Sequence, residues 1–472
     1  MSRSKVRNME ALEIEKVASE GKCLGKKDGK VVFVPFTAPG DVVDVFLTKS
    51  RKSFGEGKVT KFHKYSDLRI EPFCSHFTIC GGCKWQHLPY EKQLEFKQAH
   101  VLENLNHLGN LDLKEINPIK HSQKQQFYRN KLEFTFTNRR WLTEDELKSD
   151  VEFEERGGVG FHIPGRFDAV LDIDKCFLQS DFSNQIRDFI KKYAITNQLS
   201  FYNVHEHKGL LRNLVVRNTS DNQQMVIVQF GENEIENIEA LMAAIVNQFP
   251  FIASLLYIIN LKHNETYFDQ DIICFHGKDH LIEPFTRWDE TKINFKISPK
   301  SFFQTNNAQA EVLYAETFRM AKLTGQEVVY DLYTGTGTIA NYIANKAKKV
   351  IGVEYIEDAI KDAKVNAHLN DISNTVFFAG DMKDVLTNKF FDKNGKPDVI
   401  ITDPPRAGMH EDVLKVILEA NAHRIVYVSC NPSTQARDLK VLCENYTIEE
   451  IQPVDMFPHT HHCENIVSLV RK

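Results

Sequence analysis

Val328-Val329-Tyr330-Asp331-Leu332-Tyr333-Thr334-Gly335-Thr336-Gly337-Thr338 is a β-branched run that ends in a glycine-rich turn and opens a helical pattern. The run reads as a buried parallel strand, and the glycines let backbone approach a ligand at the start of a helix. About 19 residues after Gly335 a second strand ends in Gly352-Val353-Glu354, whose carboxylate can hold a ribose diol. Further out, a helix from Gln309 to Leu323, strands at 328–332 and 350–353 and a helix from Ile339 alternate. From about residue 285 this alternation predicts an α/β, doubly wound parallel sheet. An NAD enzyme would share the glycine turn and the acid after the second strand.

Two later strands narrow the choice. Ile400-Ile401-Thr402-Asp403-Pro404-Pro405-Arg406 ends a strand in a D-P-P turn, and Gly380-Asp381 supplies an acid of the kind placed near an adenine. With D-x-x-x-G-x-G, this set looks like an S-adenosylmethionine (SAM) methyltransferase. Amino-group methyltransferases usually carry an aromatic residue after the two prolines, to stack on the target base; here Arg406 stands there. The next apolar run, Ile425 to Val428, stops at Ser429-Cys430-Asn431-Pro432 and leaves Cys430 at a strand's carboxyl end, where open α/β sheets place their chemistry. Methylating an unactivated pyrimidine carbon requires a nucleophile, because carbon 5 of uracil becomes electron-rich only after addition at carbon 6. A thiolate suits that addition, although a free thiol is only a few per cent ionised at neutral pH. Against this stands the commoner use of a buried cysteine, simple packing.

The 472 residues allow two or three domains, and 42% apolar with 26% charged residues is ordinary for a soluble globular chain. No apolar run approaches the roughly 20 residues needed to span a bilayer, and the start Met-Ser-Arg-Ser-Lys-Val-Arg is basic with no apolar segment behind it, so a cytoplasmic protein is expected. Nine cysteines at irregular spacing do not form a secreted disulfide framework. The net charge of -5 hides an uneven distribution: residues 1–66 hold 14 Lys and Arg against 8 Asp and Glu, about +6, leaving about -11 for the remainder.

In that basic portion Gly21, Gly25, Gly29 and Gly40 separate short apolar runs such as Val31-Val32-Phe33-Val34 and Val42-Val43-Asp44-Val45-Phe46, which predicts a small antiparallel barrel. Glu13-Ile14-Glu15-Lys16, Lys30 to Pro35 and Ala38-Pro39-Gly40-Asp41 resemble a TRAM domain, an OB-like barrel found on RNA-modifying enzymes. The resemblance implies RNA as a partner, with Lys49, Arg51, Lys52, Lys58, Lys61 and Lys64 meeting phosphates.

Cys74-Ser-His-Phe-Thr-Ile-Cys80-Gly-Gly-Cys83 follows, three cysteines within ten residues. Thiolates in such a cluster suit zinc or iron-sulfur, and both need a fourth ligand, for which Cys176 is the candidate. The spacing is not the C-x3-C-x2-C of radical enzymes, so a structural centre is expected. His76 is an alternative ligand, a solvated loop histidine being the plainer reading. Tyr90 to Leu108 reads as an amphipathic packing helix, able to lie on the methyltransferase domain, and Phe127 to Phe136 alternates as a strand on which Arg129 and Lys131 could contact RNA. Further runs at Leu214 to Val216, Met225 to Phe230 and Leu255 to Ile259 predict a mostly antiparallel middle domain.

With Asp331 to Thr338, Asp403 to Gly408, Ser429 to Pro432 and Pro458-His459-Thr460-His461-His462-Cys463-Glu464 in view, the chain is identified as a member of the RNA uracil-5-methyltransferase family. The TRAM-like module and the C-x5-C-x2-C cluster make it similar to the branch acting on 23S ribosomal RNA. The resemblance implies a 4Fe-4S cluster held by Cys74, Cys80, Cys83 and Cys176. It implies SAM bound through Gln304, Tyr333, Glu354 and Asp403, beside the Gly335 and Gly337 turn and Asp381. It also implies Cys430 as nucleophile toward carbon 6 and Glu464 as the base that removes the carbon 5 proton from a base drawn out of its stack. Cys463 departs from the usual aliphatic residue beside the base and is expected to pack, as are Cys23, Cys274 and Cys443. The expected organisation is a TRAM barrel at 1–66, a β-rich central iron-sulfur domain at 67–285 and a Rossmann-like methyltransferase domain at 286–472, in a monomer. Transfer RNA is the alternative substrate, and a non-catalytic RNA-binding iron-sulfur protein the alternative class.

Overall fold

A computed structural model describes residues 8–149 and 156–472; the basic start, Met1 to Arg7, lies outside the described residues. The chain's carboxyl-terminal part builds a seven-stranded sheet. Its order is Thr375–Ala379, Lys349–Glu354, Val328–Leu332, Val399–Thr402, Arg424–Ser429, Glu464–Arg471 and Tyr446–Val454. The first five strands are parallel. The chain winds outward from Val328–Leu332 to Thr375–Ala379, then returns to Val399–Thr402 on the other side. That reversal opens the crevice in which such sheets bind ligands. The strand Glu464–Arg471 runs antiparallel to Arg424–Ser429 with Ser429 opposite Asn465, which sets Glu464 beside Cys430.

The middle of the chain carries a second seven-stranded sheet, from Ile273–Gly277 at one edge through Ser254–Ile259, Gln224–Phe230, Leu211–Asn218, Lys131–Thr137 and Gly158–His162 to Val170–Asp172. As expected it is mostly antiparallel, with one parallel pair: Gln224–Phe230 and Ser254–Ile259, joined by the helix Ile235–Gln248. Their continuous apolar sequences belong to strands buried on both faces. One face packs on Ile186, Ile190, Ile238 and Leu241 from the helices Phe182–Thr196 and Ile235–Gln248. The other face offers Met225, Ile227 and Leu256 to a core shared with Leu313, Val329 and Val350 of the carboxyl-terminal domain. The hairpin Leu281–Thr286 and Lys292–Ile297 inserts Phe285 and Phe295 into this shared core, so the expected boundary at residue 285 falls within a strand.

The strand expected over Phe127 to Phe136 begins only at Lys131. Phe127 has φ +54°, outside the extended region, and the segment before Lys131 bonds instead to the stretch after Cys176, Phe127 N to the Phe177 carbonyl at 2.8 Å and Arg129 N to the Leu178 carbonyl at 2.7 Å. The helix Tyr90–His107 buries a mixed stripe of Tyr90, Gln93, Lys97, Val101 and Leu105. Val101 and Leu105 are fully buried among Ala436, Leu439 and Ile417 of the methyltransferase domain, stabilising that contact by about 1.5–3 kcal/mol each. Among the described residues no helix is long and apolar enough to cross a membrane.

At the amino-terminal end six strands form the barrel sheet, in the order Asn8–Glu13, Val42–Ser50, Phe54–Lys64, Lys30–Val34, Cys23–Lys27 and Lys16–Val17. The barrel is tied to the next segment by Trp85 Nε1, which donates to the Gly21 carbonyl at 3.0 Å, and by the Arg69–Asp41 ion pair at 2.7 Å.

Candidate active site

Asp331, next to last in its strand, is fully buried. One oxygen accepts from the Thr334 hydroxyl and from the Ala340 amide, which closes the turn onto the helix Thr338–Ile343. The other oxygen is buried without a partner, and burial pushes the carboxyl up to about 7. A Cβ on Gly335 would meet nothing within 4 Å, so this turn presents open space to a ligand. Gly337, at φ +72°, packs against Ala363, where a Cβ would come within 2.9 Å. Glu354 is aimed by two amides, Gly335 N at 3.1 Å and Ile356 N at 3.1 Å. Both bonds hold its carboxylate over the glycine turn. Asp381 follows Gly380 and caps the short helix Met382–Val385, accepting from Lys383 N at 3.2 Å. Tyr333 has φ +61°, and Gln304 is buried with its carbonyl fixed by Asn130 Nδ2 at 2.8 Å. The turn, the acids and the open space fit an adenosyl group.

Asp403, Cys430 and Glu464 come from the ends of three adjacent strands and converge on the same crevice. The two turns are stapled together: Asn431 Nδ2 and Thr434 Oγ1 both donate to the Arg406 carbonyl, at 3.0 and 3.2 Å. Asn431 also caps the helix Pro432–Leu442 by accepting from Ser433 N at 3.1 Å. The Cys430 thiol is pushed up to about 11, first by burial, then by the charges of Glu464 and Asp403, with the Arg406 guanidinium opposing. Glu464 is 5% exposed, and burial followed by the neighbouring Asp403 charge raises its carboxyl well above the usual range. A carboxyl held high beside a thiol suits proton exchange near neutral pH. Cys463 is buried as expected and donates to the Glu464 carbonyl at 3.3 Å.

Cys74, Cys80, Cys83 and Cys176 line one cavity of about 550 Å³. Burial raises all four thiols, Cys83 to about 12 and Cys176 to about 11, and each thiolate would raise its neighbours further. Among the described residues no group of three or more His, Cys, Asp and Glu is arranged to hold a metal ion. The cavity is wide, and Gly82 N points at Cys80 Sγ at 3.4 Å. Four thiols lining one cavity are the donor type that an iron-sulfur group takes, and the positive charge of such a group would offset the cost of ionising them.

His76 is not a solvated loop residue: its side chain is 13% exposed, and Nε2 accepts from the Asp174 amide at 2.9 Å. Arg129 and Lys131 are not exposed strand cations either. Both line the cysteine cavity, Arg129 stacking 5.2 Å from the Phe457 ring and Lys131 lying 3.6 Å from Glu133. Of the cysteines assigned to packing, Cys23 is buried and Cys443 half-buried, but Cys274 is exposed on the edge strand Ile273–Gly277. In the barrel, Lys49 pairs with Glu56 at 2.9 Å, while Arg51, Lys52, Lys58, Lys61 and Lys64 are exposed.

Sequence reasoning passed over the residues that hold the segment before Glu464, namely Tyr90, Gln93, Lys97 and Asp455. Nothing in the helix sequence marks them, because polar residues occupy its other faces as well.

The fold and crevice define a Rossmann-like SAM-dependent methyltransferase. Residues 270–472 match the family model tRNA (Uracil-5-)-methyltransferase, and residues 3–60 match the TRAM domain. An uncharacterized RNA methyltransferase of Bacteroides thetaiotaomicron is 53% identical over 456 residues, covering 96% of this chain and 99% of its own. One of Chlorobaculum tepidum is 37% identical over 470 residues, covering 98% and 96%. The crystal structure of Pyrococcus abyssi tRNA (uracil-54, C5)-methyltransferase in complex with S-adenosyl-L-homocysteine superposes with a TM-score of 0.74. It is 29% identical and covers 98% of this chain and all of that one. The chain belongs to the RNA uracil-5-methyltransferase family, and SAM is its methyl donor.

Proposed function

We propose that the protein methylates carbon 5 of a uridine in 23S ribosomal RNA through a covalent adduct between Cys430 and carbon 6. The observation that carries the reading is the pairing of Ser429 with Asn465, which brings a strand-end thiol beside a buried carboxyl in the crevice of the SAM fold. SAM supplies an electrophilic methyl group. Gly335, Glu354 and Asp381 would seat the adenosyl part. Cys430 adds to carbon 6, and the electron pair displaced to carbon 5 takes the methyl group. Glu464 removes the carbon 5 proton; the C–H pair re-forms the 5,6 double bond and the C6–S bond breaks, returning Cys430 as thiolate. Arg406 lowers the cost of that thiolate. A 4Fe-4S cluster on Cys74, Cys80, Cys83 and Cys176 would brace the loop that ends at Lys84 and Trp85, whose amides donate to the His459 carbonyl at 2.8 and 3.0 Å. We place the protein in the cytoplasm as a monomer.

The ribosomal RNA reading is supported by the resemblance, through the TRAM module and the C-x5-C-x2-C cluster, to the branch acting on 23S ribosomal RNA. Transfer RNA is the second reading, favoured by the likeness over the whole chain to the Pyrococcus abyssi enzyme, a tRNA (uracil-54, C5)-methyltransferase. Unmodified 23S ribosomal RNA and unmodified transfer RNA, each incubated with anaerobically purified protein and methyl-labelled SAM, separate them. The proposal expects labelled 5-methyluridine in the ribosomal RNA; label in transfer RNA alone transfers the assignment to the second reading, and label in neither removes the reaction.

A further inference from the structure

Glu464 sits at the end of a segment, Asp455 to Cys463, that lies between two antiparallel strands. What fixes that segment is a helix more than 350 residues earlier in the chain. Lys97 and Asp455 have fully buried side chains and form an ion pair at 2.6 Å. Lys97 Nζ also donates to the Phe457 carbonyl at 3.0 Å, and Asp455 accepts from Phe457 N at 3.1 Å, so the pair closes the turn from both sides. The second Asp455 oxygen accepts from the Tyr90 hydroxyl at 2.7 Å, and that hydroxyl accepts from Ser122 N at 2.7 Å. One turn along, Gln93 grips His459, taking its amide at 2.8 Å and lying 3.2 Å from its Nδ1. From the opposite side Gln309 donates to the Asp455 carbonyl at 2.8 Å and Asn306 to the Met456 carbonyl at 2.9 Å.

A buried ion pair is a costly way to dock a helix, since an apolar pair of similar volume often gives equal or greater stability. What it adds is direction: ionised partners tolerate little displacement, and their further donors and acceptors here bind the backbone that leads to Glu464. None of these bonds reaches Cys430 or the glycine turn.

We propose that Lys97 and Asp455 are positioning residues for one half of the reaction, the removal of the carbon 5 proton. Their pair holds the Asp455 to Cys463 segment so that Glu464 faces carbon 5 of the bound uridine. Nucleophilic addition and methyl transfer depend on Cys430 and the glycine turn, which the pair does not hold. Loss of the pair therefore delays the step in which Glu464 takes the proton, the C–H electrons form the double bond and the C6–S bond breaks. The inference rests on the covalent mechanism proposed above.

The test uses the full chain, unmodified RNA and labelled SAM in single turnover, with the covalent RNA–protein adduct resolved on a denaturing gel. The variant Lys97→Met/Asp455→Leu replaces the pair with apolar side chains and leaves no lone buried charge from it. Tyr90→Phe removes one bond to Asp455 and serves if the double variant does not fold. Expected for the double variant are SAM affinity and adduct formation within about twofold of wild type, with adduct decay slowed at least tenfold. For Tyr90→Phe decay slows about threefold. Adduct decay at the wild-type rate in a folded variant overturns the positioning role, as does an equal loss of adduct formation and decay. If the wild-type chain transfers no methyl group to either RNA, the functional reading fails and the positioning role with it. Wild-type activity with unaltered variants rejects the positioning role alone.

Discussion

Arg406 opposes the charges of Glu464 and Asp403 at Cys430, the proposed nucleophile, and its removal has a calculable effect. A thiol at about 11 leaves roughly one molecule in 3,000 ionised at pH 7.5, against about one in 30 at the ordinary value of 9. Burial and the charges of Glu464 and Asp403 produce the difference, and the Arg406 guanidinium works against them. Arg406→Met should leave the turn intact, because Asn431 and Thr434 bind the residue's carbonyl rather than its side chain. A nearby opposite charge lowers an acid by one to three units, and exposure of this guanidinium weakens that to roughly half a unit or one. Below pH 9 the thiolate fraction, and with it the single-turnover rate of adduct formation, falls about 3- to 10-fold. The pH profile moves alkaline by the same amount. Glu464 loses the same opposing charge, so its carboxyl also rises and the carboxylate that would take the carbon 5 proton becomes scarcer, which slows adduct decay rather than adduct formation. Arg406→Lys should recover most of the rate, and the wild-type advantage should shrink at high salt. The assay is single turnover at saturating SAM and RNA from pH 6.5 to 9.5. An unchanged saturating rate and pH profile, with only RNA affinity reduced, would refute this reasoning and leave Arg406 as a phosphate contact.

Other expectations are simpler. Glu283 is fully buried in the hairpin between the two large sheets, accepts from the Ser220 amide, and is raised to about 7 by burial. Its stabilising, protonated form is complete below about pH 4.5 and is lost as pH rises through 7, costing up to about 3 kcal/mol. Glu283→Gln should therefore gain about that much at pH 8 and nothing at pH 4.5, measured by denaturant titration at both values. Gly337→Ala forces a side chain into a left-handed residue at about 1–2 kcal/mol, before the contact with Ala363 is counted, and should weaken SAM binding at least tenfold by calorimetry. The proposed cluster predicts that anaerobically prepared wild type holds iron and sulfide with visible absorbance and that Cys176→Ala loses them while SAM still binds; retention of a full complement of iron by the variant would remove Cys176 from the proposed ligand set.

The methyltransferase half was legible because its strands end where their sequence patterns break. Val328 to Leu332 stops at a turn in which Gly335 and Gly337 take φ +55° and +72°, and the D-P-P and S-C-N-P turns stop the next two strands. The central domain was less legible. Met225 to Phe230 and Leu255 to Ile259 are largely apolar throughout, so nothing in their periodicity distinguishes parallel from antiparallel pairing, and the helix that joins them decides it. Phe127 alternates correctly with its successors yet leaves the strand, because its backbone bonds instead to the stretch after Cys176. Lys97 was invisible for a different reason. A lysine on a charged helix reads as solvent-facing, and its partner Asp455 lies 358 residues away, where no local pattern connects the two. Cys430 and Glu464 were named by motif; the strand register that joins them is a property of the folded sheet.

The proposed mechanism turns on a Cys430 adduct resolved by Glu464, and one gel tests it. Wild type, Cys430→Ala and Glu464→Gln are incubated with methyl-labelled SAM and unmodified RNA, then denatured, and label is followed in free RNA and in protein-bound RNA. Wild type should give labelled free 5-methyluridine. Glu464→Gln should trap up to about one adduct per enzyme, only when SAM is present, with turnover reduced about 10²- to 10⁴-fold. Cys430→Ala should give neither species. Labelled free product from Cys430→Ala, or wild-type turnover by Glu464→Gln, would contradict the mechanism.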